Sequence, residues 1–353
     1  MSFSRLLLLP FALIYGAVIW LRNHLFDWGV LPSQSFSIPV ISVGNLSAGG
    51  AGKTPQVEYL VNLLGDRYKI AVLSRGYKRK TRGFLEAGPG LTAQELGDEP
   101  MQMHRKFPHI LVVVDAKRRR GIRQIMANHP EVNLVILDDA FQHRYVRPGL
   151  NLLLTGYYNP FFRNFLLPVG NLREARCRSA RADALIITKT PDVFSPLDRW
   201  FFLKKLCKYK LKNIYFSYLK YGPLVPLTPT TPPTAPPKIK TMFLLTGIAN
   251  SESLEEELKT RCQELLIHKY PDHHPFSRQD IRKLGKHFNK TISHSKIVVT
   301  TEKDAMRLQD KELQEILSDM PVYYLPITVN FHSGDKEKFQ RMLETFLNRY
   351  SSV

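Results

Sequence analysis

The sequence predicts an α/β protein: a doubly wound, mostly parallel sheet, then a second and smaller α/β domain, with a hydrophobic helix in front of both. Three observations predict it. Short Val, Ile and Leu runs alternate with polar or amphipathic stretches along nearly the whole chain. A glycine-rich turn follows the first run, and an Asp-Asp pair closes a later one. Sixteen residues, Leu6 to Leu21, carry no charge.

That uncharged stretch, LLLLPFALIYGAVIWL, lies between Arg5 and Arg22. As a helix it is roughly 24 Å long, short of the roughly 30 Å hydrocarbon core of a bilayer. It reaches into a membrane but barely spans one. Trp20 beside Arg22, with Arg5 at the opposite end, suits anchoring at the headgroup level. A cleaved signal would share the basic start and apolar run, yet no small-x-small site follows. A buried core helix is the plainer alternative. Residues 1–30 are expected to be a membrane-associated helix, peripheral or monotopic.

The runs Val40 to Val43, Ile70 to Leu73, Leu111 to Val114, Leu134 to Leu137, Leu152 to Leu154 and Leu185 to Ile187 are short and rich in branched residues. Separated by helices, such runs are buried parallel strands. Gly222 to Lys238 holds seven prolines in seventeen residues, which excludes a helix or central strand and leaves a linker or edge ribbon. That places a main domain over 31–220, the Pro-rich segment over 221–238 and a smaller domain over 239–353. In the last, runs at Met242 to Leu245, Leu265 to Ile267 and Ile297 to Thr300 alternate with helices expected near Glu252 to Arg261 and Arg278 to Phe288.

The chain is 353 residues long, 44% apolar and 23% charged, which excludes disorder as the main reading. Lys and Arg number 50 against 31 Asp and Glu, a formal charge of +19. Such a balance favours a large anionic partner: nucleic acid, a membrane surface or a phosphorylated substrate. Cys177, Cys207 and Cys262 are too few and scattered for a disulfide framework, and a reducing compartment fits.

Val40 to Pro55 reads VISVGNLSAGGAGKTP: a strand, a glycine-rich turn and a Thr-Pro suited to a first helical turn. This is a phosphate loop of the P-loop NTPase kind with one departure, Ser47 where the pattern G-x-x-x-x-G-K-[ST] has Gly. Ser47, Ala48, Gly49, Gly50, Ala51 and Gly52 can still turn their N–H groups inward around phosphate. Lys53 can reach the β- and γ-phosphates, and Thr54 offers a hydroxyl to Mg²⁺. Mg²⁺ also wants carboxylate oxygen, and the strand VNLVIL ends in Asp138 and Asp139. A solvated strand end is the bland account of those two. Their place after a phosphate loop makes them metal-site candidates.

The strings VGNLSAGGAGKTP, SRGY (Ser74 to Tyr77), GDEP (Gly97 to Pro100) and LDDAFQHR (Leu137 to Arg144) together resemble the tetraacyldisaccharide 4′-kinases of lipid A synthesis. The resemblance continues through PVGNLRE (Pro168 to Glu174), ADALIITK (Ala182 to Lys189), YPDHHPF (Tyr270 to Phe276) and TTEKDA (Thr300 to Ala305). It covers nearly the whole chain and implies an inner-membrane enzyme facing the cytosol. Its cofactors would be ATP and Mg²⁺, and the γ-phosphoryl would pass to the 4′-hydroxyl of a lipid disaccharide 1-phosphate to give lipid IVA. Ala140 stands where that family commonly has Gly, and Ala175 where it commonly has Pro; neither change removes a ligand or a base.

The resemblance makes Asp98 the base. Taken alone, an Asp in a Gly-Asp-Glu-Pro turn is a helix N-cap. The family pairs this Asp with a His of the Asp272-His273-His274 string, His273 before His274, and Asp272 is a catalytic candidate beside it. The two were expected to lie in different domains and to act as one base once the domains close. Arg173 could steady transferring phosphate, or simply pair with Glu174. Glu99, Gln142, His143, Arg75, Tyr77 and Arg119 share these strings or the basic run Lys117 to Arg120 and are further site candidates. Most basic runs are solvated faces; an anionic membrane and a phosphorylated lipid would give these ones partners. Thr188-Lys189 and Thr301 to Asp304 lack the spacing of a guanine-reading motif; Thr301 to Asp304 reads as a site wall or cap structure. The main alternative, a membrane-associated P-loop ATPase or GTPase switch, leaves Asp98 and His273 idle. No nucleic-acid partner is expected, because the basic clusters lack interleaved aromatics.

Overall fold

A computed structural model describes residues 7–350, so Arg5 and Leu6 of the predicted anchor lie outside the described residues. Eight strands follow the N-terminal helix: β1 (Val40–Asn45), β2 (Ile70–Ser74), β3 (Leu85–Glu86), β4 (Leu111–Val114), β5 (Leu134–Asp138), β6 (Leu150–Gly156), β7 (Ala184–Thr188) and β8 (Asn213–Tyr221). Then come β9 (Val225–Pro226), β10 (Ile239–Thr246), β11 (Cys262–Lys269), β12 (Lys296–Thr301), β13 (Val322–Leu325) and β14 (Ile327–Phe331). They build a nine-stranded sheet, β14-β8-β7-β6-β1-β5-β2-β4-β3, and a five-stranded one, β11-β10-β12-β13-β9.

In the larger sheet β1 is buried at every position and pairs in parallel with β5 on one side and β6 on the other. The strand order reverses there, which opens a crevice at the strand's carboxyl end where open α/β sheets place ligands. The helix Lys53–Leu64 covers one face. Its Val57, Leu60, Val61 and Leu64 are buried in one apolar cluster with Ile41, Val43 and Leu152. The other face is covered by the helix Arg118–Asn128, through Ile122 and Ile125, and by Phe161, Phe202 and Leu206.

The division of the chain differs from the predicted one. One compact unit comprises residues up to Leu91, Met103–Leu219 and Val329 onward; the other comprises Thr92–Gln102 and Lys220–Thr328. The smaller domain expected over 239–353 therefore loses its C-terminal end. The helix Asp335–Leu347 puts Phe339, Leu343, Phe346 and Leu347 into the same cluster as Ile41 and Leu60. Phe339 is 0% exposed, and its truncation to Ala is expected to cost about 3–5 kcal/mol. The Pro-rich segment is an edge ribbon rather than a free linker: Val225 and Pro226 pair antiparallel with β13, and Thr231 Oγ1 accepts from the Val322 N–H. Prolines are tolerated there because an edge strand need not donate on both sides.

In the smaller unit β10 is paired in parallel with β11 and β12. The helix Arg278–Lys290 starts at a reciprocal cap between Ser277 and Asp280 and buries Ile281, Leu284 and Phe288, a three-four helical spacing.

The N-terminal helix is Leu9–Asp27, 19 residues, long and apolar enough to cross a membrane by length and composition. It runs past Arg22, where the apolar stretch ended. Phe11, Leu13, Ile14, Val18, Trp20 and Leu21 are exposed, whereas Ala12, Asn23 and Phe26 are buried. Its polar side is tied down: Tyr15 Oη donates to Arg173 O (2.9 Å), Arg22 to Gln142 O (3.2 Å) and Asn23 to Glu174 Oε2 (3.4 Å). Arg22, expected at the headgroup level, also makes an internal contact.

Candidate active site

In the larger unit the phosphate loop hangs between β1 and the helix Lys53–Leu64. Gly52 takes φ +76° at the N-cap, a conformation closed to most side chains. Asn45 braces the turn, Nδ2 donating to Ser47 O (2.6 Å), and Gln142 Nε2 donates to Asn45 O (2.8 Å). The string containing Arg173 runs alongside: Ala48 N donates to Asn171 O (2.6 Å) and Arg173 N to Leu46 O (2.8 Å). Gly44 is required where the Phe141 backbone passes, since a Cβ there would sit 2.7 Å from Phe141 N.

β5 ends beside this loop, Asp138 opposite Val43. Asp139 turns left-handed, φ +48°, and its carboxylate accepts from Arg173 Nη1 at 3.0 and 3.1 Å with Lys53 Nζ at 3.6 Å. Burial alone would raise the Asp139 carboxyl, but Lys53, Arg173 and Arg118 outweigh it and hold it below the ordinary range. Arg173 accordingly pairs with Asp139 rather than with its neighbour Glu174, which is buried on Arg181 (2.7 Å).

The basic run Lys117 to Arg120 is not a solvated face throughout. Arg118 is 1% exposed and donates to Asp115 O and Asp138 O (2.6 and 3.2 Å). Burial lowers its pKa to about 10, which leaves it a cation. Arg120 is fastened to Asp115 by both nitrogens at 2.8 Å. Arg119, the predicted candidate, stands with its guanidinium 6.0 Å from the Tyr145 ring centroid. His143 is pushed down to about 4, first by burial and then by the charges of Arg118, Arg75 and Arg22. It is a neutral imidazole in a cationic setting. Arg75 and Tyr77 are exposed.

In the smaller unit Asp98 opens the helix Asp98–Lys106. Residues Thr92–Gln102 cluster with this unit, so Asp98 and His273 belong to one unit, contrary to the expected two. His273 Nδ1 lies 3.1 Å from Asp98 Oδ2. His274 faces Asp280 instead (3.0 Å) and stacks on Tyr270. His273 is left-handed, φ +61°. Arg307 Nε donates to the same Asp98 oxygen (2.8 Å), and Arg307 Nη1 donates to Asp304 Oδ1 (2.6 Å) and Gly247 O (3.2 Å). Lys303 Nζ lies 3.1 Å from His273 Nε2, 3.4 Å from Glu99 and 3.8 Å from Asp272. Arg307 Nη2 lies 3.2 Å from His273 Nδ1, so the ring stands between two cations, Lys303 at Nε2 and Arg307 at Nδ1, with the Asp98 carboxylate beside Nδ1. Burial would raise the Asp98 carboxyl, but the bonds and charges of His273 and Arg307 hold it below the ordinary range. It is an ionised carboxylate with Oδ2 saturated.

The TTEKDA string forms a cap, one of the two structures expected of it. Thr301 caps the helix Glu302–Arg307 by accepting from Asp304 N, and Asp304 Oδ2 accepts from Gly247 N (3.0 Å). The helix so fixed presents Lys303 and Arg307, one turn apart, to the Asp98–His273 pair. Arg307 was missed; the only signal was its four-residue spacing from Lys303 on a capped helix.

For a cation, Thr54, Asp138 and Asp139 offer hard oxygen donors beside the phosphate loop. Among the described residues no group of three or more His, Cys, Asp or Glu converges as a metal cage. A cation held here would draw on phosphate and water oxygens for its remaining ligands, which is the habit of Mg²⁺. The donor set fits that ion.

The sequence model of a family described as tetraacyldisaccharide-1-P 4′-kinase matches residues 4–348. A tetraacyldisaccharide 4′-kinase of Bacteroides thetaiotaomicron is 44% identical over 346 residues, covering 95% of this chain and 91% of its own. One from Flavobacterium psychrophilum is 42% identical over 351 residues, covering 98% of each. Among solved structures, LpxK of Aquifex aeolicus in complex with ATP superposes with a TM-score of 0.73 at 30% identity, covering 98% of this chain and 99% of that one.

Proposed function

The chain belongs to the tetraacyldisaccharide-1-P 4′-kinase family, and from that membership we propose how its residues divide the reaction. It is a lipid kinase that transfers the γ-phosphoryl of ATP to the 4′-hydroxyl of a tetraacyldisaccharide 1-phosphate, giving lipid IVA. The observation that carries this over a nucleotide switch is the unbroken family match over residues 4–348.

The backbone N–H groups from Ser47 to Gly52 cradle the phosphates and Lys53 neutralises the charge gathering on the β–γ bridge as it breaks. Thr54, Asp138 and Asp139 would hold Mg²⁺, which when bound would supply charge neutralisation and phosphate orientation. Arg173, now on Asp139, is placed to follow negative charge as it moves to the transferring group. Asp98 receives the proton of the attacking hydroxyl. Its Oδ2 is occupied by His273 and Arg307, so Oδ1 is the accepting atom. A carboxylate held below its ordinary pKa is a weak base, suited to taking a proton late, when the O–P bond is already forming. His273 orients it and carries no proton away while Lys303 occupies Nε2.

The exposed apolar face of Leu9–Asp27 lies in the inner leaflet boundary, with the catalytic units on the cytosolic side, and the surplus of 50 basic over 31 acidic residues favours the anionic headgroups. The test is transfer of labelled γ-phosphate with lipid disaccharide, with water alone, and with DNA present. Label in the lipid alone supports the kinase. Release to water at an equal rate without lipid would restore the switch reading.

A further inference from the structure

β7 lies two strands from β1 in the larger sheet, with β6 between them, and its end carries a pair to which the reaction as described gives no part. Thr188 Oγ1 donates to Ala51 O of the phosphate loop (2.9 Å). A Cβ on Gly52 would touch the same side chain, 3.7 Å from Thr188 Cβ. The next residue, Lys189, adopts φ +57°, a left-handed conformation that non-glycine residues rarely keep without a reason. The turn sends its side chain back over the loop, so that a Cβ on Gly50 would lie 3.7 Å from Lys189 Nζ.

A lysine after a strand ordinarily extends into water with its stem along the surface. This one is half-buried. Burial pushes its ammonium below the ordinary lysine range, and no acidic side chain offsets the effect. Lys53 differs: its Nζ already has Asn45 Oδ1 at 3.4 Å and Asp139 at 3.6 Å. A partly desolvated cation without a counter-charge is unfavourable by itself, and it stands over the part of a phosphate loop whose backbone receives α- and β-phosphates.

We propose that Lys189 is a second cation of the nucleotide site, its ammonium pairing with an α- or β-phosphate oxygen of the bound nucleotide while Thr188 fixes the loop backbone beneath it. This rests on the reading of residues 47–54 as the nucleotide cradle. Lys189 is a binding and positioning residue here; it takes no proton and meets no reacting atom.

The experiment measures ADP and ATP affinity by calorimetry, the melting temperature with and without ADP, and kinase kinetics for wild type, Lys189→Met and Lys189→Arg. Lys189→Met should weaken ADP and ATP by the same factor, about tenfold, because the γ-phosphate is not its partner. It should raise KM for ATP more than it lowers kcat. Its melting temperature without nucleotide should equal or exceed wild type, since an uncompensated charge is gone, while the rise produced by ADP shrinks. Lys189→Arg should recover most of the affinity. A Lys189→Met protein that binds both nucleotides like wild type overturns the proposal. So does one that melts lower without nucleotide yet shows an undiminished ADP-induced rise, which is the behaviour of a merely structural brace. Wild type binding neither nucleotide would remove the cradle reading itself, and the proposal with it.

Discussion

Arg307 Nε stands 2.8 Å from Asp98 Oδ2 across 209 positions of sequence. Because His273 Nδ1 approaches the same oxygen at 3.1 Å, both partners meet the carboxylate at Oδ2, which is why the proposed mechanism uses Oδ1. Arg307 is itself held by Asp304, which a threonine-capped helix start keeps in place. The proposed base is thus built from three segments of the smaller unit.

The first prediction separates base from support. Asp98→Asn should lower kcat by about 10³-fold and His273→Ala by about 10²-fold, within the usual span for proton-transfer groups. ATP affinity should barely change in either. His273→Ala is the milder because Arg307 still orients Asp98. The double variant should be little worse than Asp98→Asn, since groups acting as a unit are non-additive. Multiplicative losses would show that His273 has a separate task.

The second concerns pH. His273 and Arg307 hold the Asp98 carboxyl below its ordinary value, so removing either donor must raise it. Arg307→Gln should move the acidic limb of kcat/KM to higher pH, and the stability difference from wild type should follow the same group. The pairing stabilises the fold above the unfolded carboxyl's value, roughly pH 4, and that contribution disappears as pH falls through the lower folded value. An acidic limb that stays put in Arg307→Gln would detach the limb from Asp98.

Much of this was legible in the chain. Val, Ile and Leu runs gave the parallel strands within one to three residues at most ends, because a doubly buried strand has no polar face to blur its pattern. That Lys53 and Asp139 lie side by side, with Asp138 ending the strand beside the loop, was legible because a phosphate loop constrains neighbours in sequence. Three things were not legible. β14 and the helix Asp335–Leu347 return to the larger unit, and no local pattern records which sheet an amphipathic segment will cover. Arg118 is buried while Arg119 and Arg120 are not, a matter of helix phase inside a uniform basic run. Asp98 and His273 pair as expected but share one unit, because Thr92–Gln102 joins the smaller one, a long-range choice with no marker in GDEP.

The third prediction uses His143. Its pKa lies near 4, against roughly 6.5 in the unfolded chain, so between those values the unfolded state binds more protons. Stability should therefore rise with pH across that window, its contribution fully present above about 6.5 and lost as pH falls toward 4. His143→Gln should flatten the melting-temperature profile there. The His143 ring signals in NMR should not titrate between pH 5.5 and 8; a midpoint near 6.5 would contradict the cationic setting of Arg118, Arg75 and Arg22.

The fourth distinguishes the two sides of the N-terminal helix. Replacing exposed Phe11, Leu13, Ile14 and Trp20 by Gln or Ser should shift the protein to the soluble fraction and leave its melting temperature within about 2 °C, because none of the four is buried. Deleting Met1 to Leu21 should do more. It also removes Tyr15, whose hydroxyl donates to Arg173 O, and should lower turnover even on detergent-dispersed lipid. Full retention on membranes in high salt after either change would remove the anchor.

The last prediction divides phosphate from cation at the centre of the larger unit. Lys53 and Asp139 lie 3.6 Å apart, so each screens the other and simple loss of activity cannot tell their roles apart. Lys53→Ala should lower kcat by about 10²- to 10³-fold, the usual size for one fixed donor to developing charge, and should do so at every Mg²⁺ concentration. Asp139→Asn removes the carboxylate that Lys53 and Arg173 now share. ATP affinity without Mg²⁺ should then hold or improve, because both cations are released toward phosphate. The Mg²⁺ concentration for half-maximal rate should rise at least tenfold, because an oxygen ligand has become an amide. Those opposite movements are what a cation-holding Asp139 requires. If Asp139→Asn instead weakens ATP without Mg²⁺ and leaves the Mg²⁺ requirement unchanged, Asp139 serves only to position Lys53 and Arg173, and the cation falls to Asp138 and Thr54.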